Sequence, residues 1–462
     1  MRRLLASLGM VVSLHAAVSP AQFEQIDRYV RAEMKLNQIP GLALALVWCG
    51  RVELHAWGVR SLFTRTPMDV DTPVDLASVS KPLTAVAVAR LARAGKLHLD
   101  RPVAGWLVEL QGTPVGELPL REFLRHRSGL RRRHDRLVPC CGRPGDGDLS
   151  AAARNLGRAR PVWAGRIFGY ANANYVLLAA VIERASMQPF AQFMEREVFR
   201  RLGMTKTTLD EQRARAWGLA ASHERCWGRV RPRTVPQTGW PGASLVKSTA
   251  RDMAVFLQAA LEGRVEGIER PQDLAPPYDA GWFVGRENGL LVLEHSGDTW
   301  GANAAVLLVP AEQLGVAVLI NAGIQRALPI ARGLARLLLY GAPPAPARPA
   351  WYQVADNWAM LFTALSPAAL AAAALVWMRL CRQVGRGERG WRLPSGAWER
   401  GRMLLLVVMA AYVLVLSARA AIGPAPGSPP SLRLSVVTLG LAGAAVLATV
   451  AALGLAPRTP QD

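Results

Sequence analysis

The stretch DLASVSKPLTAVAVARLA, residues 75–92, decides the fold of this chain and the position of its chemistry. Ser78 and Lys81 stand three residues apart at the beginning of an apolar segment, which predicts that Ser78 lies in the first turn of a helix. Pro82 is tolerated that early in a helix. Residues three apart share one helix face, with roughly 5–6 Å between their Cβ atoms. A buried, neutral Lys81 amine would then be the base that a serine nucleophile needs.

A second Ser-x-x-Lys stretch, from Ser244 to Lys247, has the same spacing in a chain with only five lysines. It follows Pro241-Gly242 and comes just before a predicted helix cap, so we expect Lys247 on a loop or turn. This context favours Ser78 over Ser244 as the nucleophile. In isolation, however, a serine at this position could equally be a helix cap, with its lysine a solvated charge.

Two further motifs follow in order along the chain, Tyr170-Ala171-Asn172 and His295-Ser296-Gly297. Each has an ordinary explanation when taken alone, because Tyr170 could be a core aromatic, Asn172 a turn residue and His295 a strand histidine. Taken together with the motif at Ser78, they resemble the serine β-lactamases of the class C type and the related penicillin-binding proteins, esterases and D-aminopeptidases. The resemblance covers roughly residues 22 to 340.

This resemblance implies an α/β fold of the β-lactamase/transpeptidase type, with an antiparallel sheet flanked by helices and an inserted helical subdomain. It also implies that Ser78 attacks a carbonyl and becomes acylated, while Lys81 and Tyr170 relay the proton to the leaving group. The oxyanion hole would consist of the backbone N–H groups of Ser78 and Asp298. Serine chemistry of this kind needs no metal and no other cofactor.

By the same resemblance, substrate orientation falls to Asn172 and to the third motif, His295, Ser296 and Gly297. Many members of the family carry Lys-Thr-Gly at the third motif, and that lysine attracts a substrate carboxylate. His295, with an unperturbed pKa of about 6.5, can be neutral at pH 7, so we expect a weaker attraction that depends on pH. We expect a weak pull on a penicillin or on a free peptide C-terminus, so the sequence favours esters, amides or small peptides over β-lactams, and a cell-wall peptide could be a substrate.

Strand-like runs stand at both ends of the resembling region. Residues 41–48 and 52–59 predict a hairpin. Three more strands are predicted at residues 290–294, 303–309 and 315–320, followed by a helix over residues 325–340. Strands at both ends with helices between them predict a mixed sheet with a helical subdomain inserted. We expect Ser78 and the third motif, on an edge strand, to face the cleft between the two parts.

The N-terminal residues predict export. Residues 1–21 contain an arginine pair, an apolar run and small residues near Ala17 and Ala21, which is typical of a signal peptide. An uncleaved anchor helix is the alternative. A hydrolase domain over residues 22–341 and a proline-rich linker over residues 342–357 follow.

Three apolar segments follow the linker, and each is near the roughly twenty residues that span a bilayer. The predicted transmembrane helices are residues 358–377, 403–422 and 434–455. The loop 378–402 is rich in arginine, so the positive-inside rule places it in the cytoplasm with the tail 456–462, and places the loop 423–433 and the hydrolase domain outside. This predicts a multi-pass protein of the bacterial cytoplasmic membrane with an extracytoplasmic catalytic domain. A buried helical hairpin in a soluble protein is the less favoured alternative.

The net charge of +21 comes almost entirely from arginine. No basic stripe interleaved with aromatics is present, so we expect no nucleic-acid partner, and an anionic membrane surface or envelope polymer fits better. The arginine-rich residues 125–136 could bind an anionic substrate or lipid head group, or be a solvated loop. The sequence allows a disulfide of Cys226 with Cys140 or Cys141, but it determines neither this pairing nor the oligomeric state.

Three classes of function remain. A hydrolase is favoured, because every side chain of the apparatus has a counterpart. A β-lactam or peptide sensor would report acylation through the membrane helices, but the cytoplasmic loop is too short for an output domain. An inactive envelope-binding protein would have no use for the retained Ser78, Lys81 and Tyr170.

Overall fold

A computed structural model of the chain describes residues 18–138, 148–226, 229–233 and 240–341, and isolated positions between residues 361 and 386. Residues 1–17 of the predicted signal peptide, the linker, the predicted transmembrane segments apart from those positions, and Cys140 and Cys141 lie outside the described residues. Among the helices that are described, none has both the length and the apolar character needed to cross a bilayer. Every predicted site residue belongs to one compact unit, whose described residues are 18–138, 148–224, 232–233 and 240–341.

The centre of this unit is a sheet of seven antiparallel strands in the order β2-β1-β11-β10-β9-β8-β7. Two small ladders, β3 with β6 and β4 with β5, lie outside it. The strands are β1 (Gly41–Trp48), β2 (Arg51–Gly58), β3 (Val74–Asp75), β4 (His223–Cys226), β5 (Arg229–Pro232), β6 (Lys247–Ser248), β7 (Tyr278–Asp279), β8 (Trp282–Glu287), β9 (Leu290–Asp298), β10 (Asn303–Val309) and β11 (Leu314–Ile320).

The predicted hairpin and the strand at residues 303–309 are confirmed. Cys49 and Gly50 connect β1 to β2 with φ values of 48° and 77°, as a tight turn between right-twisted strands requires. The mixed sheet is wrong, because every pair in the seven-stranded sheet is antiparallel. The edge position of the third motif is also wrong, because β8 and β7 extend the sheet beyond β9. Neither strand was recognised, since β7 has two residues and β8 mixes apolar and charged ones.

Helices cover both faces of the sheet, and β1, β10 and β11 are therefore buried along their whole lengths. The helices are α1 (Pro20–Asn37), α2 (Ser80–Arg93), α3 (Leu120–Leu124), α4 (Leu149–Gly157), α5 (Asn172–Ser186), α6 (Phe190–Phe193), α7 (Arg200–Leu202), α8 (Glu211–Ala216), α9 (Ala250–Leu261) and α10 (Ala327–Tyr340). Of these, α10 packs on β9, β10 and β11 with α1 against it, and α9 packs on β1, β2 and β11.

The helical part of the unit is built around α2. Residues 80–88 of this helix are all buried, α5 packs against it, and α3 and α4 pack against α5. Just before Ser78, β3 pairs with β6 so that Asp75 lies opposite Lys247. Lys247 is therefore in a short strand, and the prediction of a loop or turn is wrong. Its pairing partner lies far away along the chain, so no local pattern could reveal it.

Candidate active site

Ser78 lies in a single 3₁₀ turn, Ala77–Val79, which runs directly into α2. The predicted helical turn is thus present, but it is tighter than an α-helix. Ala77 has a φ of 48°, a left-handed conformation that costs a residue with a side chain about 1–2 kcal/mol. The backbone N–H of Leu76 donates to Val246 O at 2.9 Å, which ties the turn to the small ladder behind it.

The Lys81 amine is in contact with the Ser78 hydroxyl, as the spacing predicts. Its Nζ lies 2.8 Å from Ser78 Oγ, 2.9 Å from Asn172 Oδ1 and 3.0 Å from the carbonyl oxygen of Ala243. The side chain is fully buried, and this desolvation lowers the pKa of the amine to about 7, although the charge of Asp135 acts in the opposite direction. A large share of the Lys81 amines are therefore neutral at physiological pH, as a base must be.

Tyr170 approaches the same oxygen from the other motif. Its hydroxyl lies 3.0 Å from Ser78 Oγ, and its ring centroid lies 4.9 Å from Lys81 Nζ. Desolvation raises the pKa of the Tyr170 hydroxyl well above its usual value, so the phenol stays protonated. Tyr170 can therefore donate a proton, but it is not a phenolate base in the resting site.

Gly297 allows β9 to run directly against the turn that carries Ser78. A Cβ at this position would lie 2.1 Å from Leu76 O and 2.9 Å from Ser78 N, so only glycine fits. The two predicted oxyanion donors, the N–H groups of Ser78 and Asp298, thus belong to adjoining segments. Asn303, which the sequence reading missed, donates from Nδ2 to Gly297 O at 2.8 Å and to Asp298 Oδ1 at 2.6 Å, and so fixes the end of the strand.

His295 is buried, and both of its ring nitrogens are engaged. Nδ1 lies 2.7 Å from Ser296 O, which can only accept, so Nδ1 carries the proton and Nε2 accepts from the Tyr278 hydroxyl at 3.0 Å. Burial, together with the nearby charge of Lys81, lowers the pKa of His295 to about 3. A neutral, buried His295 agrees with the expected weak attraction for a carboxylate. A pKa this low gives no support to a dependence on pH near neutrality, which stays a prediction.

An aromatic cluster supports Tyr170 and His295. Its members are His126, Phe168, Tyr170, Tyr175, Tyr278, Phe283 and His295. His126 is buried within this cluster, and its Nδ1 is 2.8 Å from Asn174 Nδ2. Tyr278 and Phe283 were missed, since they lie on the two unrecognised strands.

The second Ser-x-x-Lys stretch is not part of this arrangement. Ser244 Oγ accepts from the backbone N–H of Trp240 at 3.0 Å. Lys247 Nζ donates to Leu245 O at 3.1 Å and lies 3.6 Å from Asp75 Oδ1. The structure therefore brings Ser78, and not Ser244, together with a lysine amine.

Comparison with known proteins identifies the family of this chain. A family model described as Beta-lactamase matches residues 26–339. The chain belongs to the beta-lactamase family. It is 26% identical over 260 residues to the Beta-lactamase of Providencia stuartii, across 56% of this chain and 65% of the relative. It is 24% identical over 322 residues to Protein flp of Staphylococcus aureus (strain MW2), across 64% of this chain and 63% of the relative.

The chain thus spans just under two thirds of the length of these curated family relatives. Among solved structures, the D-alanine carboxypeptidase AmpC of Burkholderia cenocepacia is similar, with a TM-score of 0.58 and 25% identity over 68% of this chain and 98% of that chain. These matches confirm the β-lactamase/transpeptidase-like α/β fold with its antiparallel sheet, and they support a serine hydrolase. The transmembrane helices stay predictions.

Proposed function

We propose that this protein is a serine hydrolase that forms an acyl-enzyme at Ser78. The observation that carries the proposal is the contact of one hydroxyl with two proton carriers, Lys81 Nζ at 2.8 Å and Tyr170 OH at 3.0 Å. A nucleophile within hydrogen-bond reach of a base, with the base held in turn by Asn172, is the arrangement that activates a serine.

The reaction follows from the protonation states of these groups. Neutral Lys81 accepts the proton of Ser78 as Oγ forms its bond to the substrate carbonyl carbon. The Tyr170 phenol gives its proton to the leaving group as the carbonyl–leaving-group bond breaks, and Lys81 returns a proton to Tyr170. Water then attacks the acyl-enzyme through the same groups in reverse. The N–H groups of Ser78 and Asp298 hold the negative oxygen, because fixed donors at developing charge lower the barrier.

The substrates we propose are esters, amides and small peptides, including cell-wall peptides, rather than penicillins. A neutral, buried His295 with both nitrogens engaged offers no cation to a substrate carboxylate. The name of the Burkholderia relative, a D-alanine carboxypeptidase, makes D-alanyl peptides the first peptides to test, and by the same argument their free C-terminal carboxylate should be held as weakly as that of a penicillin.

Membranes containing the full chain, exposed to a fluorophosphonate and to a fluorescent penicillin, test the proposal. We expect fluorophosphonate labelling of the wild type and of Ser244→Ala, no labelling of Ser78→Ala, and weak or transient penicillin labelling. Stable penicillin labelling would instead indicate a sensor or a slow carboxypeptidase. Labelling that persists in Ser78→Ala and disappears in Ser244→Ala would refute the assignment.

We further propose that the chain is anchored in the bacterial cytoplasmic membrane with the hydrolase domain outside. Support comes from the signal-like residues 1–21, the three apolar segments and the arginine-rich loop 378–402. Alkaline phosphatase, which is active only outside the cytoplasm, can be fused after residue 342 or within the arginine-rich loop. We expect phosphatase activity only from the fusion after residue 342. Activity only from the fusion within the arginine-rich loop would show the opposite topology.

A further inference from the structure

One carboxylate beneath the active site has no place in the mechanism so far. Asp135 lies in the 3₁₀ helix Arg132–Leu137, within the arginine-rich stretch. Its neighbours Arg132, Arg133 and Arg136 are exposed, whereas Asp135 is only 8% exposed. A buried carboxylate is costly unless its oxygens are hydrogen-bonded, so its contacts show what holds it there.

Asp135 caps the helix on which Asn172 stands. Its Oδ1 accepts from the backbone N–H of Ala173 at 2.9 Å, at the first turn of α5. The residue at the N-cap position of α5 is Ala171, which has no side-chain group to offer. The cap therefore comes from a distant segment, and it fixes the beginning of α5 relative to the 3₁₀ helix.

The same carboxylate also orients the Asn172 side chain. Asn172 Nδ2 donates to Asp135 Oδ2 at 3.5 Å, while Asn172 Oδ1 accepts from Lys81 at 2.9 Å. A flipped amide would place its oxygen against the carboxylate and its N–H₂ group against the lysine, which is unfavourable on both sides. A continuous series of contacts thus runs from Asp135 through Asn172 and Lys81 to Ser78.

Asp135 is the carboxylate whose charge affects the pKa of the Lys81 amine. His126 and His295 face it as neutral rings, and Tyr170 and Tyr175 as protonated phenols. Among the described residues, Asp135 is the charge that shifts the Lys81 pKa, and it raises this pKa against desolvation. Burial raises the pKa of Asp135 itself, while hydrogen bonds from the backbone of Ala173 and Asn172 and the charges of Lys81 and Arg132 act to lower it.

We propose that Asp135 is a positioning residue of this site, which holds the Asn172 amide toward Lys81 and tunes the base through its charge. The inference rests on the proposed acyl-enzyme at Ser78. It makes two separable claims, one about the maximal rate and one about the pH at which the rate falls. A role confined to stability would affect neither in the folded enzyme.

Asp135→Asn tests both claims with little change in shape. Its amide oxygen can still accept from Ala173, but its N–H₂ group meets that of Asn172, so the orientation is lost. We expect the plateau of kcat/KM for an ester to fall about ten- to a hundredfold. Removal of the negative charge lowers the Lys81 pKa, so the acidic limb of the pH profile should move down by about 0.5–1 pH unit.

Asp252→Asn is the matched control. Asp252 is also buried, at 2% exposure, and it accepts from the Lys206 N–H and the Thr207 hydroxyl at 2.7 Å each. The Asp252→Asn variant should lose stability, but the acidic limb of its pH profile should lie where that of the wild type lies. A second variant, Asp135→Asn in an Asn172→Ala background, should lose little further plateau activity if Asp135 acts through Asn172.

The inference would be overturned if the acidic limb of Asp135→Asn coincided with that of the wild type, whatever the rate. It would also be overturned if the losses of plateau kcat/KM from Asp135→Asn and Asn172→Ala were fully additive. If Asp135→Asn fails to fold, the same pH profile is measured on Asp135→Ser, and the same two outcomes decide. Failure of the proposed function is distinguishable, because Ser78→Ala would then stay active.

Discussion

The two Ser-x-x-Lys stretches of this chain share their spacing but not their structure. At residues 78–81 the backbone is helical, both side chains face one direction, and Lys81 Nζ lies 2.8 Å from Ser78 Oγ. At residues 244–247 the lysine lies in β6, and its amine contacts Leu245 O instead of the serine. A spacing of three brings two side chains together only on a helix, because side chains alternate between faces along a strand.

The neighbours of the two amines differ as well, although both lysines are fully buried. Lys247 has the Asp75 carboxylate at 3.6 Å and forms an ion pair that supports the β3–β6 ladder. The amine of Lys81 has neutral hydrogen-bond partners, and Asp135, whose charge raises its pKa, contacts Asn172. The same residue type thus forms an ion pair in one copy and is the proposed base in the other.

Replacing each lysine by methionine gives the largest expected contrast. Lys81→Met should lower kcat/KM about a thousandfold with the fold retained, because the general base is gone. Lys247→Met should keep activity per folded molecule within about threefold, but lose about 1–3 kcal/mol of unfolding free energy, since Asp75 loses its partner. The rate of ester hydrolysis and the urea unfolding of both variants measure these two effects. Equal losses of activity in both variants would contradict the different roles of the two lysines.

Tyr170→Phe removes the proton donor that only the first copy has. We expect a loss of about a hundredfold in kcat/KM, because protonation of the leaving group becomes uncatalysed. The loss should be smaller for an activated ester, whose leaving group needs no proton. A uniform loss across leaving groups would contradict a role in protonation.

Gly297→Ala tests the close approach of β9 to the Ser78 turn. The new methyl group would overlap Leu76 O, so we expect a loss of about 1–3 kcal/mol in stability and about tenfold to thirtyfold in activity. Gly285→Ala on β8 is the matched control, because a Cβ there meets nothing within 4 Å. It should change stability by less than about 0.5 kcal/mol. Indistinguishable variants would refute the close approach.

The pH profile of the wild type gives the smallest effect, about tenfold for each pH unit below 7. The folded pKa of Lys81, about 7, lies below its usual 10.5, so the neutral base accumulates as pH rises through 7 and the rate levels off above it. The folded state binds fewer protons than the unfolded chain between these values, so this lysine also makes stability rise with pH across that window. A profile without an acidic limb near pH 7 would argue against Lys81 as the base.

The sequence predicted the parts of the site that depend on local spacing and on order along the chain. Ser78 with Lys81, and Tyr170 with Asn172, are brought together as expected. The interior position of β9 was not predictable, because short strands such as β7 carry no periodic signal. Asp135, Asn303 and Tyr278 were missed for another reason. Asp135 and Tyr278 contact residues that lie elsewhere in the chain, and Asn303 acts across the connection between β9 and β10. No periodic pattern in the sequence indicates these partners.

The position of the covalent label tests the central claim most directly. The full-length wild type is labelled with a fluorophosphonate at pH 8, digested, and the modified serine located by mass spectrometry. We predict that Ser78 alone carries the label. When the labelling rate is measured against pH, it should fall to half of its high-pH value near pH 7. A label on Ser244, or on neither serine, would contradict the account.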